Sequence, residues 1–323
     1  MKRFQKLALT LAAATAWAMP AAAQEIPGQK QMRLIVPYSA GGTSDILGRK
    51  LAEQLSARLQ RPVIVENKAG AGGAIGTEAT VRADADGSTI LLHSGAIATE
   101  PAIKAKLPYD VTRDLMSITT VVRGPFALLV SNDLPVKNVA DLVKYAQANP
   151  EKVNFGTPGI GTSVHFASEL FKSAAKAPVT HVPYKGASAA LTGLMGGEVQ
   201  MVIDPLSTAK RYAEGGKVKA LAITTAQRSD LWPGMTTVAE SGVPGFNAAV
   251  WYGLYVPAKT PAATVQMLNK EFVAILQSPE MREWLTSQGL EAVGDTPQQA
   301  QDQLVEEIKT WKELARTAGI QPQ

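Results

Sequence analysis

Short apolar runs alternate with helical patterns along this chain, and this alternation limits the fold more than any other feature of the sequence. Arg33–Val36, Pro62–Val65 and Thr89–Leu92 are typical of buried strands, because they are short, apolar and followed by loop residues. Between the first two, leucines recur every four residues and predict a helix over 46–59. Strands that alternate with helices in this way predict an α/β fold with a parallel sheet.

A second α/β run follows from about residue 126. It contains predicted strands at 126–130, 153–155, 179–182, 199–203 and 220–224, with helices at 139–148, 163–174 and 187–195. The chain beyond 261 is mostly helical. The pattern predicts two lobes, each a sheet flanked by helices: lobe 1 from 24–123 plus 226–323, and lobe 2 from 124–225. Two such lobes joined by two crossings would enclose a cleft, where small ligands usually bind.

The N-terminus has the three parts of a secretory signal peptide. A basic start at Lys2, Arg3 and Lys6 precedes an apolar stretch over 7–17 and three small residues that end at Ala23. The apolar part is too short to span a bilayer. We therefore expect cleavage after Ala23 and a soluble protein, exported to the periplasm and not anchored by lipid.

Charge and cysteine content exclude several classes of function. The full chain has 32 Lys and Arg against 28 Asp and Glu, and the predicted cleavage removes three basic and no acidic residues, so its net charge falls from +4 to +1. A nearly neutral chain lacks the basic surface that nucleic acids require. With no cysteine, the chain has no disulfide, thiolate metal site, cysteine nucleophile or lipidated N-terminal cysteine. We expect no cofactor and no metal.

Each half of the chain carries a loop rich in glycine and hydroxyl groups between a predicted strand and a predicted helix. The candidate binding residues are Tyr38, Ser39, Ala40, Gly41, Gly42, Thr43 and Asp45 in the first loop, and Thr157, Gly161, Thr162, Ser163 and His165 in the second. Glycine lets the backbone approach a ligand, and a helix N-terminus offers unpaired N–H groups that favour an anion. One such loop is equally well explained as a tight turn with an N-cap. Two of them, one in each predicted lobe, favour an anion held between the lobes.

Three further segments are candidates for the lining of the cleft. Ser94 and Gly95 follow the third strand, where α/β folds commonly bind ligands. Tyr184 and Asp204 follow predicted strands of the second lobe, but a turn and an N-cap explain them equally well. The glycine-rich segment 68–76 lacks the spacing of a dinucleotide loop.

A secreted hydrolase is the alternative from a different functional class. Ser163, His165 and Asp204 supply the residue types of a catalytic triad. However, the chain has no G-x-S-x-G motif, and Ser163 and His165, two positions apart at a helix start, would point in different directions. A hydrolase would therefore need an unrecognised nucleophile.

In several ordered segments, the chain resembles the substrate-binding proteins of tripartite tricarboxylate transporters, the Bordetella uptake gene (Bug) family. The similar segments are 36–45, 65–73, 155–165, 181–186 and the final helices. The resemblance implies a two-lobed periplasmic-binding-protein fold of type II, the Venus-flytrap arrangement. It also implies a non-enzymatic receptor that captures a small carboxylate (a di- or tricarboxylate, an acidic amino acid or an aromatic acid).

The resemblance further implies a partner and a set of contacts. The partner is a membrane permease of one large and one small subunit, and we expect a monomeric receptor. The family's binding loops fall on 38–45, on Ser94 and Gly95, and on 157–165, and its acidic position falls on Asp204. Many members have a second proline where this chain has Tyr38 and Ser39, which leaves the ligand open. A receptor that signals to a membrane histidine kinase is a further alternative, and neighbouring genes would distinguish it.

Overall fold

The computed structural model of the protein describes residues 31–320, and the predicted signal peptide lies outside that range. Within these residues, no helix combines the length and the apolar character needed to cross a membrane. The first α/β run consists of β1 (Met32–Val36), α1 (Thr43–Leu59), β2 (Val63–Asn67), α2 (Ala74–Val81), β3 (Thr89–Ser94), α3 (Ala96–Ile103) and α4 (Val111–Asp114). Strand β1 lies between β2 and β3 and is parallel to both, as the sequence predicts.

One long strand, β4 (Leu115–Val130), runs from the first lobe into the second. Its first part, up to Pro125, pairs antiparallel with β9 (Ala249–Pro257), which returns the chain to the first lobe. Its last part, from Phe126, pairs with two strands of the second lobe. The sequence predicts only 126–130 as strand, because Gly124 and Pro125 interrupt the apolar pattern.

The second run contains α5 (Val139–Ala148), β5 (Asn154–Thr157), α6 (Ser163–Ala175), β6 (Thr180–Pro183), α7 (Ala187–Met195), β7 (Met201–Pro205), α8 (Leu206–Glu214) and β8 (Lys219–Ile223). Strand β5 lies between β6 and β7 and is parallel to both. After β9 come α9 (Ala262–Gln277), α10 (Pro279–Ser287), β10 (Glu291–Ala292) and α11 (Pro297–Ala318). The strand order β2-β1-β3-β9-β4-β7-β5-β6 is continuous across both lobes. Helices α5 and α7 match their predicted bounds.

Separate groups of buried apolar side chains lie on the two sides of the crossing. Leu34, Leu51 and Phe272 belong to the core of the first lobe. Phe155 and Phe171 belong to the core of the second. Each lobe therefore has its own core, and the two are joined mainly through β4 and β9.

The limits of the lobes stay a prediction, and the packing suggests one change to them. Val238, Val243 and Phe246 are buried in the core of the second lobe, although they follow residue 225 in the chain. We therefore propose that the second lobe extends to about Ala248, directly before β9 begins. Sequence periodicity missed this because the segment between β8 and β9 forms neither a long helix nor a strand.

The last helix, α11, touches both lobes. Leu304 and Ile308 in its first half are buried in a core group of the first lobe. Leu314 and Ala315 in its second half are buried against Phe166 of α6 in the second lobe. Helix α11 therefore joins the two lobes on one side of the molecule.

We expect Gly76→Ala to destabilise the protein, because Gly76 of α2 lies directly against the chain that follows β1. A Cβ atom at this position would lie 2.6 Å from Cβ and 2.8 Å from Cα of Pro37. Overpacking of this kind costs about 1–3 kcal/mol of unfolding free energy. Urea unfolding measures the change. Gly196→Ala is the matched control, since its Cβ would meet no atom nearer than 3.4 Å, and equal unfolding midpoints for the two variants would contradict the prediction.

Candidate ligand-binding site

The loops that follow β1, β3 and β5 are connected by two hydrogen bonds. The hydroxyl groups of Tyr38 and Ser94 lie 2.8 Å apart, which joins the first loop to the end of β3. The hydroxyl of Thr99, in α3, donates to the carbonyl oxygen of Gly161 at 3.2 Å. The structure therefore brings both predicted glycine loops and the Ser94–Gly95 segment to one region, where the lobes meet.

The first loop presents an uncapped helix N-terminus. Residues 39–43 are exposed, and α1 begins at Thr43. No side chain caps the helix at Gly42, so its first N–H groups and the positive end of its dipole are available to a bound anion. Gly41 has φ +86°, a conformation that favours glycine.

Asp45, a predicted binding residue, is buried and stabilises the first loop through a hydrogen bond with its backbone. Its carboxylate accepts hydrogen bonds from Gly41 N–H at 2.9 Å and from Arg49 Nε at 3.1 Å. The hydrogen bonds from Arg49 and Gly41 lower the pKa of Asp45 below its usual value, so the carboxylate stays ionised. A direct contact between Asp45 and a ligand stays a prediction.

The second loop repeats this design with different side chains. Thr162 caps α6 by accepting from His165 N–H at 3.2 Å. Gly161 has φ +82° and donates its N–H to Nδ1 of His165, also at 3.2 Å. Ser163, in the first turn of α6, is half-buried. The side chain four residues after the glycine thus holds each loop.

Two predicted hydroxyl groups already have partners inside the second lobe. The Thr157 hydroxyl lies 2.6 Å from Nε2 of His181. The Tyr184 hydroxyl donates to Glu198 at 3.1 Å. Their backbones are adjacent, since Tyr184 N–H donates to Thr157 O at 2.9 Å. The side chains of Thr157 and Tyr184 therefore stabilise the second loop through contacts within the second lobe.

A cavity of about 10 Å³ lies between the lobes beside these loops, with room for roughly one water molecule. Residues from both lobes and the crossing line it, among them Gly95, Thr99, Ser163, Ala167, Trp251 and Glu307. Trp251 lies so close to Gly95 that a Cβ there would be 2.7 Å from the indole nitrogen. Gly95 therefore has to be glycine for this packing.

Sequence reasoning did not find Thr99 or Glu307 as residues of this region. The carboxylate of Glu307 accepts from Trp251 Nε1 at 2.8 Å and from Trp311 Nε1 at 3.3 Å. The sequence signal that could have indicated Glu307 is its position four residues before Trp311, which places both side chains on one face of α11. Trp251 of β9 is only 4% exposed and packs in one core group with Leu304 and Ile308 of α11.

The family model for the tripartite tricarboxylate transporter family receptor matches residues 47–320 of this chain. The chain belongs to this family. Its relative BugT of Bordetella pertussis is 34% identical over 304 residues, which cover 94% of this chain and 93% of BugT. The family predicted from the sequence motifs is thereby confirmed.

Solved structures of relatives share the fold of this receptor. Rpa4515 of R. palustris, solved with adipate, is 35% identical with a TM-score of 0.79, and the match covers 91% of this chain and 98% of that one. MatC from Rhodopseudomonas palustris, solved with bound malate, is 27% identical with a TM-score of 0.74, and the match covers 88% and 98%. The two-lobed periplasmic-binding-protein fold is therefore confirmed.

Asp204, the second-last residue of β7, is a buried carboxyl group of the receptor. It is 1% exposed, and among residues 31–320 its Oδ2 atom has no hydrogen-bond partner. Burial raises the pKa of Asp204 to about 7, and Arg211 opposes this only in part. Near neutral pH the group can therefore donate a hydrogen bond as an acid or accept one as an anion.

The buried side chain of His93 contacts the first loop. His93 Nδ1 lies 2.8 Å from the carbonyl oxygen of Ser94, which can only accept, so Nδ1 carries a proton. The Tyr38 ring packs edge-on against His93. His93 is fully buried beneath Tyr38 and Ser94.

His165, Glu169 and His181 have the residue types of a metal site but not the required protonation. Their potential ligand atoms lie within 4.8 Å of one another. However, Nδ1 of His165 accepts from Gly161 N–H, so neutral His165 carries its proton on Nε2, facing Glu169 at 3.9 Å. Neutral His165 therefore has no free lone pair on either ring nitrogen to bind a metal. Without His165 as a ligand, these three residues do not fit a metal centre.

The same geometry opposes Ser163 and His165 as the nucleophile and base of a hydrolase. A general base must lie within hydrogen-bond reach of its nucleophile. The two ring nitrogens of His165 face Gly161 and Glu169, and neither is bonded to Ser163. His165 is therefore not placed to activate the Ser163 hydroxyl.

We expect Asp204→Asn to stabilise the receptor more at pH 8 than at pH 5. The folded-state pKa of about 7 lies above the ordinary value of 3.8, so the wild-type receptor gains stability as pH falls from 8 to 5, and the neutral variant lacks this gain. By linkage, the difference in unfolding free energy between variant and wild type should be about 2 kcal/mol larger at pH 8.

Urea unfolding at the two pH values measures this difference, and effects of other titrating groups cancel in it. Asp230→Asn, at an exposed position, is the control and should show no such change. A variant-minus-wild-type difference that is the same at both pH values would contradict the assignment of a buried, proton-binding Asp204.

Proposed function

We propose that this receptor captures a small carboxylate between its lobes in the periplasm and delivers it to a membrane permease of one large and one small subunit. The observation that carries the proposal is the exposed, uncapped N-terminus of α1, connected through Tyr38, Ser94 and Thr99 to the loop of the opposite lobe. An anion is the ligand that such a set of N–H and hydroxyl donors favours.

Dicarboxylates fit this arrangement best. Each lobe contributes one loop, so the two ends of a dicarboxylate can each meet donors from a different lobe. The relatives solved with adipate and with malate support this class. The donors in the two loops are neutral, because the nearby Arg49 is paired with Asp45. Neutral donors hold a carboxylate less tightly than an arginine fork does, which suits a receptor that has to release its ligand.

The receptor is proposed to act without catalysis, as an exported monomer that is soluble after cleavage at Ala23 and carries no lipid anchor. The bond between Thr99 and Gly161 already joins the lobes, and closure around the ligand would add further contacts between them. Ligand binding would thereby favour the closed arrangement that a permease can distinguish from the open one.

Thermal-shift measurements with a panel of carboxylates test the ligand class. The panel includes adipate, malate, citrate, glutamate, nicotinate and terephthalate. A ligand present at about 100 times its dissociation constant adds about 2.7 kcal/mol to the unfolding free energy, and calorimetry then gives the affinity and stoichiometry. Stabilisation by a dicarboxylate at one site per chain is expected, and no response to any member would contradict the proposal.

We expect Gly42→Asp to abolish carboxylate binding while the receptor remains folded. Gly42 is exposed with φ −85°, and a Cβ there would meet no atom nearer than 3.9 Å, so a side chain fits without strain. The new carboxylate would occupy and neutralise the N-terminus of α1. Calorimetry with the dicarboxylate found in the panel measures the loss.

Gly42→Asn is the matched control, because it adds the same volume without the charge. A smaller loss with Asn than with Asp would show that the site attracts an anion. Undiminished affinity in Gly42→Asp would place the ligand elsewhere.

A further inference from the structure

The second loop is supported by a histidine pair, buried His165 and half-buried His181, that the proposed function does not use. His165 of α6 stacks on His181 of β6, with ring centroids 4.3 Å apart, and His181 stacks on Phe155. The titratable and charged groups that face His165 are Glu169 and Lys172 on α6 and His181 on β6. The pair lies directly beneath Gly161.

The hydrogen bond from Gly161 N–H fixes the protonation state of His165. A backbone N–H can only donate, so Nδ1 of His165 has to accept with an unprotonated lone pair. Protonation of the imidazole would place a proton on Nδ1. Two donors, Nδ1–H of His165 and the N–H of Gly161, would then face each other, and neither could accept. The loop contact and the positively charged form of His165 therefore exclude each other.

The environment keeps His165 neutral in the folded receptor. Burial, together with the neighbouring His181 and Lys172, lowers the pKa of His165 to about 4. Glu169 lies 3.9 Å from Nε2 of His165, but it is also paired with Lys172 at 3.7 Å, which offsets its charge, and burial raises its own pKa. The environment of His165 therefore favours the neutral form that the Gly161 contact requires.

The first loop has the same contact without this sensitivity. Gly41 N–H donates to Asp45, four residues later, as Gly161 N–H donates to His165. Arg49 keeps Asp45 ionised, and an ionised carboxylate accepts a hydrogen bond throughout the neutral and mildly acidic range. The two lobes therefore differ in the chemistry of one side chain at equivalent loop positions.

We propose that His165 is a positioning residue that holds the second ligand loop through the N–H of Gly161 and releases this loop when it is protonated. Thr99 contacts the carbonyl oxygen of the same Gly161, so the release would also loosen the contact between the lobes. The consequence for ligand affinity rests on the proposed function, whereas the coupling of His165 to Gly161 does not.

Nuclear magnetic resonance of the intact receptor without ligand tests the coupling. At pH 7, His165 should be the tautomer protonated on Nε2, and the Gly161 amide signal should shift on acidification with a midpoint near pH 4. His165→Asn should remove this shift, because its amide oxygen can accept in the place of Nδ1 without titrating. A proton on Nδ1 at pH 7, or a Gly161 signal that does not follow His165, would overturn the proposal.

Hydrogen exchange separates positioning from general stability. In His165→Leu, the Gly161 amide should exchange about tenfold faster than in wild type, which corresponds to about 1.4 kcal/mol, a typical value for one hydrogen bond. His165→Asn should restore slow exchange even if both variants lose some unfolding free energy. Equal exchange in the Leu and Asn variants would overturn the positioning role.

The ligand measurement uses adipate with wild type and His165→Asn at pH 7 and pH 4. Half of the wild-type molecules are protonated at a pH equal to the pKa, so adipate affinity should fall about twofold more in wild type than in His165→Asn. Titration of adipate itself is common to both proteins and cancels. An equal fall in both would overturn the release step. Failure of adipate to bind wild type at pH 7 would exclude adipate as the ligand and leave the spectroscopic tests decisive for His165.

Discussion

The antiparallel pairing of β4 with β9 is the constraint on which the rest of the receptor depends. Both strands cross between the lobes, and β4 continues without interruption into the second sheet, where it pairs with β7 and β8. The C-terminal ends of β3 and β7 lie beside this crossing, at Ser94 opposite Tyr252 and at Pro205 opposite Phe126. Residues 56 or more apart in sequence, such as Tyr38 and Ser94 or Thr99 and Gly161, meet for this reason.

Side chains of the following helices hold the backbone of the two glycine loops through hydrogen bonds. A glycine with positive φ gains freedom in the unfolded chain, and that freedom opposes an ordered loop. The contacts of Gly41 with Asp45 and of Gly161 with His165 offset this cost in each lobe. The remaining N–H groups of the first turn of α1 can then face a ligand without rearrangement, which is the condition for binding by weak, neutral donors.

Local pattern predicted the elements and both loops, whereas the roles of individual side chains depended on contacts distant in sequence. Helices α5 and α7 follow from apolar spacing, and the loops follow from glycine and hydroxyl residues between a strand and a helix. Asp45 and His165 were singled out, but their contacts with the backbone of their own loops were not. Thr99 carried no local signal, because its partner is Gly161 of the other lobe, and the spacing of Glu307 to Trp311 did not reveal its second partner, Trp251. Strand β4 was predicted too short because Gly124 and Pro125 resemble a break, although Pro125 lies on the crossing opposite Ala249.

Helix α11 gives the end of the chain an influence on the ligand cleft. Leu304 is anchored in the first lobe, and Leu314 packs on Phe166 of the second. Separation of the lobes has to expose this apolar contact to water or carry the helix end along with α6. A purification tag or fluorescent label attached beyond Ile320 would therefore lie next to a helix that contacts both lobes. A label on the outer face of α5 would lie away from this contact.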